Sequence, residues 1–201
     1  MIKIAITGNI GSGKSTITKI VRELGFKVFD SDKEVKKALI KKDLINQISK
    51  EFKSKIPELI KKNRIVKAKL GEFVFSNPNE LKKLEKIVHP KVRESKEKFF
   101  EKNSGEPVVF LDIPLLFEKK LQSQFDFIIR TRVSEEVQKK RVLKRKNMTN
   151  EKFDHIRKTQ TDYSGVEEKF VSLDINTEED IKIVKKKVKN FLEKVLNLKI
   201  E

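Results

Sequence analysis

The sequence predicts an α/β fold with a central parallel sheet and a helical insertion. Short apolar runs alternate with segments of helical periodicity, which is the pattern of parallel strands joined by crossover helices. A glycine-rich turn follows the first apolar run and precedes an amphipathic helix. Residues 33–102 have only helical periodicity, and this is more chain than a single crossover needs.

Five apolar runs are predicted as strands, at residues 2–6, 27–29, 108–111, 127–129 and 171–173. Pro107 and Pro114 bound the third run, since proline cannot donate to a strand ladder. Helices are predicted at residues 15–24, 134–146, 150–161 and 177–196. We expect one unit whose core comprises residues 1–32 and 105–201, with residues 33–104 as the helical insertion.

The composition excludes several classes of protein. With 201 residues and 37% hydrophobic residues, the chain can bury one sizeable core but not two ordinary domains. No apolar stretch approaches the roughly 18 residues of a membrane span, and no signal-peptide pattern is visible. Cysteine is absent, which excludes disulfides, thiolate metal sites and a cysteine nucleophile. We expect a cytoplasmic enzyme without a membrane partner.

The basic charge of the chain has two interpretations. There are 47 basic and 30 acidic side chains, which gives a formal charge of +17. This charge would attract a nucleic acid or a phosphorylated substrate, or it is simply a solvated lysine-rich surface. Lysine pairs such as Lys36-Lys37 and Lys61-Lys62 are dispersed, and aromatic residues are not interleaved with them. The solvated surface is favoured, and no nucleic-acid partner is expected.

Residues 8–16, GNIGSGKST, match the phosphate-binding loop G-x-x-x-x-G-K-[ST]. The glycines allow backbone N–H groups to turn toward phosphates, and the positive end of the next helix lies behind them. Lys14 can reach the β- and γ-phosphates, and the Ser15 hydroxyl can ligate Mg²⁺. The motif has the strand–loop–helix context that it requires. The sequence therefore predicts that the chain binds a nucleoside triphosphate.

Carboxylates follow two of the predicted strands. Asp30 and Asp32 come after the second strand and Asp112 after the third. Ligands gather at the carboxyl ends of strands in open α/β sheets, so these acids should face bound phosphates. A carboxylate at that place can accept the proton of an attacking hydroxyl. Asp30 fits a helix cap equally well. Asp112 would hold a Mg²⁺-bound water or contact substrate, unless it only forms the turn before Pro114.

A basic segment covers residues 139–146. Arg141 and Arg145 are four residues apart and share a face of the predicted helix. A planar guanidinium suits the charge that develops on a transferring phosphoryl group. The segment is therefore interpreted as a mobile basic lid that closes over the nucleotide, with a solvated helix face as the alternative.

Taken together, these features closely resemble the dephospho-CoA kinase family along nearly the whole chain. The motifs that carry the resemblance are residues 6–16, the acids of Asp30-Ser31-Asp32, residues 75–78 and 88–90, residues 112–118, and Gln138, Arg141, Arg145 and Gln160. Residues 112–118, DIPLLFE, are the most specific to the family. Asn9 and Ser31 stand where the family usually has glycine and alanine, and Lys67 where an arginine is common.

The resemblance implies a P-loop kinase-like three-layer α/β fold, in which the insertion binds the acceptor and a helical lid covers about residues 139–155. The implied reaction is ATP-dependent phosphorylation of the ribose 3′-hydroxyl of dephospho-CoA, the last step of coenzyme A biosynthesis, with Mg²⁺ as cofactor. Asp32 would be the general base, while Lys14 and Arg141 would stabilise the transferring phosphate.

The remaining site residues also follow from the resemblance. ATP contacts are assigned to Gly8, Gly11, Ser12, Gly13, Lys14, Ser15, Thr16 and Arg145, with Ser15 on Mg²⁺. Acceptor contacts are assigned to Asp30, His89, Asp112 and Leu115. His89 precedes Pro90 and has the alternative role of shaping a helix boundary. The alternatives for the whole chain are another P-loop nucleotide or small-molecule kinase, or a nucleic-acid-binding ATPase. A monomer is expected.

Overall fold

The computed structural model describes residues 1–146, 148–160 and 166–197. Its helices and strands are, in chain order, β1 (Ile2–Thr7), α1 (Lys14–Glu23), β2 (Lys27–Asp30), α2 (Ser31–Ala38), α3 (Lys42–Phe52), β3 (Ile60–Lys61), β4 (Arg64–Ile65), α4 (Lys67–Phe75), α5 (Pro78–Lys102), β5 (Val108–Asp112), β6 (Phe127–Arg132), α6 (Glu135–Leu143), α7 (Asn150–Thr159), β7 (Leu173–Asn176) and α8 (Ile181–Leu196). Thr161, at the predicted end of a helix, lies outside the described residues.

A five-stranded sheet in the order β2-β5-β1-β6-β7 confirms the predicted α/β fold. β1 pairs in parallel with both β5 and β6, and β6 pairs in parallel with β7. After β1 the chain goes first to one side of that strand and later to the other. The carboxyl end of β1 is therefore the switch point at which open α/β sheets bind their ligands.

Both faces of β1 are buried, which explains its nearly continuous apolar sequence. Ile4 and Ile6 point into a core shared with Val21 of α1 and Val188 of α8. The alternate residue, Ala5, belongs to a separate cluster on the other face of the sheet. Because side chains alternate between the two faces of a strand, this pattern fixes β1 between two layers of packing.

The chain divides into two compact units, one formed by residues 1–29 and 103–201 and the other by residues 30–102. The second unit has its own apolar core, in which Ile48 and Phe52 of α3 are fully buried. Four helices, α2 to α5, supply most of this unit. α5 continues through Pro90, so the structure places no helix boundary at His89. Within the described ranges, none of the helices has the length and apolar character needed to cross a bilayer.

A short hairpin interrupts residues 33–102, for which the sequence predicted helices alone. β3 and β4 pair antiparallel, with Ile60 opposite Ile65. Lys62 and Asn63 form the two-residue turn, with φ angles of 49° and 57°. Two consecutive left-handed residues are the signature of a type I′ turn, and asparagine adopts this conformation more readily than most residues. Strands of two residues each leave no periodicity from which to predict them.

Several predicted boundaries differ from the structure. α6 ends at Leu143 rather than at residue 146. The last strand is Leu173–Asn176 rather than residues 171–173, and the last helix begins at Ile181 rather than at residue 177. The Thr177 N–H donates to the Arg132 carbonyl, which extends the strand pairing, and Asp180 then caps α8 by accepting from the Lys182 N–H at 2.7 Å.

An ion-pair cluster joins the two last strands of the sheet. Asp174 on β7 accepts hydrogen bonds from Arg130 Nε at 2.9 Å and Arg132 Nε at 2.6 Å, both on β6. Although burial acts to raise the pKa of Asp174, the hydrogen bonds and charges of the two arginines outweigh it and hold that pKa below its ordinary value. The Arg130 side chain is 9% exposed, so this guanidinium depends on its carboxylate partner.

This pair makes stability depend on pH. A depressed pKa means that the contribution of Asp174 is complete above its unfolded value of about 3.9 and is lost as the pH falls through the lower folded-state pKa. We expect Asp174→Asn to lower Tm at pH 7. The difference in Tm between the variant and the parent should become smaller as the pH falls from about 5 to about 2.5. Melting curves of both proteins across this range, with Asp154→Asn on the exposed face of α7 as control, would measure it. A gap that is constant with pH would contradict the role assigned to the ion pairs.

Candidate active site

The glycine-rich loop, residues 8–13, joins the end of β1 to the start of α1. Gly11 and Gly13 have φ angles of 79° and 89°, a region that favours glycine. There is also no room for a side chain, because a Cβ on Gly11 would lie 2.7 Å from Val142 Cγ2 and one on Gly13 would lie 2.7 Å from Thr177 Cβ. The glycines of the motif are therefore required by close approach as well as by conformation.

Side chains from later in the chain hold the carbonyl groups of this loop. Ile10 O accepts from Gln138 Nε2 at 2.8 Å, Gly11 O from Arg141 Nη1 at 3.4 Å, and Ser12 O from Thr177 Oγ1 at 2.7 Å. At the start of α1, no side chain of the described residues caps the helix. Its first-turn N–H groups, with the positive end of the helix dipole, form a binding site for an anion.

Buried hydroxyl groups fasten the loop to β6. Ser12 Oγ and Thr131 Oγ1 are 2.7 Å apart, and both residues are almost fully buried. Thr131 Oγ1 also donates to the Thr7 carbonyl at the end of β1. Gly8 packs closely against the same threonine and against Ser12, so there is no room for a side chain at this end of the loop.

Lys14, the first residue of α1, forms an ion pair with Asp112 at the end of β5. Thr18 Oγ1, one turn further along α1, donates to the second carboxylate oxygen of Asp112 at 2.7 Å. Strand register explains this meeting, because Asp112 lies opposite Ile6, next to the start of the loop. Asp112 is 5% exposed, so its charge is stabilised by these two donors rather than by water.

The hydroxyl of Ser15 is exposed at the start of α1, next to Lys14. No cluster of three or more carboxylate or imidazole groups suited to a metal exists within the described residues. Mg²⁺ rarely uses such a protein cage, since it keeps several waters and binds one or two protein oxygens together with substrate phosphates. The exposed Ser15 hydroxyl, one residue after the lysine that pairs with the buried Asp112, fits this mode of binding.

Arg141 contacts the loop directly at the Gly11 carbonyl and also binds Thr177, which itself donates to the loop. Its Nη1 donates to Thr177 Oγ1 at 2.8 Å and its Nη2 to the Thr177 carbonyl at 2.9 Å. Glu178 follows, and the N–H of Ser134, with the charge of Arg141 as a smaller cause, lowers the pKa of this carboxyl. Arg145 does not share a helix face with Arg141 as predicted, because α6 ends at Leu143 and Arg145 lies in the exposed turn beyond it.

The other predicted acids lie in the second compact unit. Asp30 caps α2 by accepting from the Lys33 N–H at 3.0 Å, the alternative role noted for it. Asp32 is exposed in the first turn of the same helix, and His89 is exposed on α5. Leu115 belongs to the first unit and is 37% exposed in the turn after β5, next to the buried Leu116.

Comparison with known proteins assigns the chain to a family. The family model described as dephospho-CoA kinase matches residues 2–181. The chain belongs to the dephospho-CoA kinase family. This family catalyses the last step of coenzyme A biosynthesis, so the enzyme is a kinase, as the sequence predicted.

Individual proteins are similar to the chain over nearly its full length. The chain is 34% identical to the dephospho-CoA kinase of Listeria innocua, over 98% of each protein. A crystal structure from Thermus thermophilus has a TM-score of 0.81 at 30% identity, covering 98% of this chain and 96% of that one. The dephospho-CoA kinase from Campylobacter jejuni has a TM-score of 0.71 at 26% identity, covering 96% of each chain.

Some residues of this candidate site were not predicted from the sequence. Thr18 and Thr131 hold Asp112 and the loop, and Thr177 links the loop to Arg141. Thr177 had one usable signal, because it follows a strand whose carboxyl end lies at the ligand-binding edge of the sheet. Thr18 lies four residues after Lys14, and this spacing places both on one face of α1.

Proposed function

We propose that the chain transfers the γ-phosphoryl group of ATP to the ribose 3′-hydroxyl of dephospho-CoA through the residues of this site. The bond from the γ-phosphorus to the bridging oxygen of ATP breaks, and a bond from phosphorus to the 3′-oxygen forms. The products are ADP, coenzyme A and the proton of the hydroxyl. The observation that carries the proposal is the phosphate loop at the end of β1, with Lys14 beside the buried Asp112.

The triphosphate is assigned to the loop and the first turn of α1. Two observations support this assignment: the loop carbonyls are bound by side chains from later in the chain, and no side chain caps the start of α1 among the described residues. The backbone N–H groups then create a site of positive potential. The residues involved are Gly8, Gly11, Ser12, Gly13, Lys14, Ser15 and Thr16. Because the backbone of the loop is held before ATP binds, little ordering of that backbone is needed to bind it.

Lys14 is proposed to exchange partners during binding. Its ammonium group neutralises Asp112 in the structure and would turn to the β- and γ-phosphates when ATP is bound. Asp112 would then accept from Thr18 and a Mg²⁺-bound water. Ser15 supplies the hydroxyl ligand of Mg²⁺ in this proposal. When bound, Mg²⁺ neutralises charge on the phosphate oxygens.

Arg141 is proposed to stabilise the phosphoryl group in the transition state. Its guanidinium lies beside the Gly11 carbonyl and is oriented by Thr177. A planar cation fixed at the edge of the phosphate loop meets the electrostatic need of a loose transition state. Residues 139–155 keep the proposed role of a lid, with Arg145 on ATP. Because α6 is bonded to the loop, the part of the lid that moves lies beyond Leu143.

The acceptor is assigned to residues 33–104, with further contacts from the core. Asp32 would take the proton of the 3′-hydroxyl as general base, a role that its exposed position at the start of α2 allows. Asp30 orients this helix start as its cap. His89 and Leu115 are proposed to contact dephospho-CoA, a role that requires exposed side chains such as theirs.

The test is an assay of ADP release with dephospho-CoA, adenosine, nucleoside monophosphates or buffer alone as the acceptor. We expect rapid ADP release with dephospho-CoA and Mg²⁺, its loss with EDTA, and a product with a new 3′-phosphate. Equal turnover with a nucleoside monophosphate would favour another nucleotide kinase. ADP release that DNA stimulates and that needs no acceptor would favour a nucleic-acid-dependent ATPase, and its binding to DNA would fall steeply with salt.

A further inference from the structure

The backbone N–H and the backbone carbonyl of Ile10, in the phosphate loop, are each bound by a glutamine side chain. The Ile10 carbonyl accepts from Gln138 Nε2 at 2.8 Å, and the Ile10 N–H donates to Gln160 Oε1 at 2.9 Å. The two glutamines lie 128 and 150 residues along the chain from Ile10, so the contacts join distant segments. Gln138 is on α6, and Gln160 is the C-cap residue that directly follows α7.

The orientation of each glutamine amide is set by its partner. A backbone N–H can only donate, so the atom of Gln160 that meets it is the carbonyl oxygen. A backbone carbonyl can only accept, so the atom of Gln138 that meets it is the amide nitrogen. Gln138 is 8% exposed, and a buried amide is retained at such a place when it has a hydrogen-bond partner.

Neighbouring contacts make this part of the loop sensitive to the position of Ile10. The next residue, Gly11, packs against Val142 of α6, and its carbonyl receives Arg141. The Ile10 carbonyl and the Gly11 N–H belong to the same planar peptide, so a rotation of this carbonyl would also turn the Gly11 N–H relative to the phosphates. Three side chains of α6 lie on this short segment: Gln138, Arg141 and Val142.

We propose that Gln138 and Gln160 are positioning residues that hold the backbone N–H and carbonyl of Ile10 and thereby fix the phosphate loop in its ATP-binding shape. The inference rests on the proposed assignment of ATP to the loop. Gln138 supplies a donor and Gln160 an acceptor, so the two glutamines are not interchangeable. Gln160, beyond the proposed lid residues 139–155, also fastens the end of α7 to the loop.

The test is a pair of identical substitutions with opposite chemical consequences. Gln160→Glu keeps the acceptor for the Ile10 N–H, whereas Gln138→Glu removes the donor and sets a carboxylate against a carbonyl oxygen. Both add one negative charge near the triphosphate. We expect the ATP Kd, measured by calorimetry with Mg²⁺, to rise at least about 10-fold more in Gln138→Glu than in Gln160→Glu.

Variants without an added charge separate the effect of the lost hydrogen bonds from effects of charge or misfolding. Gln138→Met and Gln160→Met keep side-chain volume but remove the hydrogen bonds, and each is expected to raise the ATP Kd about 3- to 10-fold. The double variant should raise the ATP Kd by less than the product of the two single effects, because both side chains act on one residue. At saturating ATP, kcat and the KM for dephospho-CoA should stay within about threefold, a split that a general loss of folding would not produce. Gln124→Met, on the exposed surface, is the matched control.

Defined outcomes overturn the proposal. An ATP Kd within twofold of the parent value in both methionine variants would show that the glutamines do not position the loop. An equal rise of the ATP Kd in the two glutamate variants would show the same. A parent protein that binds ATP without phosphorylating dephospho-CoA would contradict the proposed function and leave the comparison of Kd values decisive. A parent protein that binds no ATP would overturn both.

Discussion

Lys14→Ala is expected to lower kcat by about 10³-fold or more and to weaken ATP binding. The substitution removes the ammonium group that would face the β- and γ-phosphates, where charge develops during transfer. It also removes one of the partners of the buried Asp112, while the Thr18 hydroxyl remains. A lost charged hydrogen bond of about 1.5–3 kcal/mol corresponds to a Tm lower by about 3–12 °C in a chain of this size. Steady-state kinetics beside thermal melting would separate the two effects.

Lys19→Ala provides the matched control on the same helix. The Lys19 side chain is 79% exposed and pairs with Glu23 at 3.7 Å on the surface of α1. Surface pairs of this kind contribute about 0–1 kcal/mol, so kcat and Tm should both stay near the parent values. If Lys14→Ala instead kept a normal kcat and only lowered Tm, the role of Lys14 would be to neutralise Asp112, and another cation would have to bind the γ-phosphate.

The parts of the site that were predicted from the sequence are local along the chain. The loop is read from residues 8–16 alone, because the strand before it and the helix after it are adjacent. Asp112 was predicted for the same reason, since an acid at the end of a buried strand of a parallel sheet lies at the ligand-binding edge. These inferences need the class of fold but no knowledge of which helices pack together.

The contacts that complete the site are not local. Gln138, Gln160 and Thr177 meet the loop across 128 to 165 residues of chain, and the partner atoms on the loop are backbone groups. A backbone carbonyl has no signature in the sequence, so even the two glutamines noted as family landmarks had no predicted partner. The contact of Thr177 was also not predictable, because Thr177 was predicted to begin a helix whereas its N–H extends the strand pairing instead.

The end of α6 was misplaced for a related reason. Residues 144–146 are basic, which is typical of the last turn of a helix, but they contain neither proline nor glycine and so do not mark the residue at which the helix ends. In the structure the helix stops at Leu143, and Arg145 N–H bonds three residues back to the Val142 carbonyl in a turn. The functional consequence is that Arg141 and Arg145 cannot act as one helix face. Their proposed roles, on the transferring phosphate and on ATP, are therefore separate.

Asp32→Asn is expected to lower kcat by about 10²–10⁴-fold, the usual range for loss of a general base. Asparagine keeps the size of the side chain but does not accept a proton from the 3′-hydroxyl as a carboxylate does. The ATP Kd should change little, because the proposed ATP contacts lie in residues 8–16. Asp32 is exposed in the first turn of α2, where a negative charge stabilises a helix by about 0.3–1 kcal/mol, so Tm should fall by only a few degrees.

Asp30→Asn separates catalysis from the shape of the helix start. Asparagine caps a helix about as well as aspartate, so this variant removes the neighbouring charge but keeps the bond to the Lys33 N–H. With Asp32 as the base, Asp30→Asn should retain most of kcat while Asp32→Asn loses it. The reverse result would transfer the role of general base to Asp30. If both variants kept a normal kcat, Asp112 would become the candidate base. The expected contribution of Asp32 to stability is too small for its loss to unfold the chain. If Asp32→Asn nevertheless unfolded, Asp32 would have a structural role instead of a catalytic one.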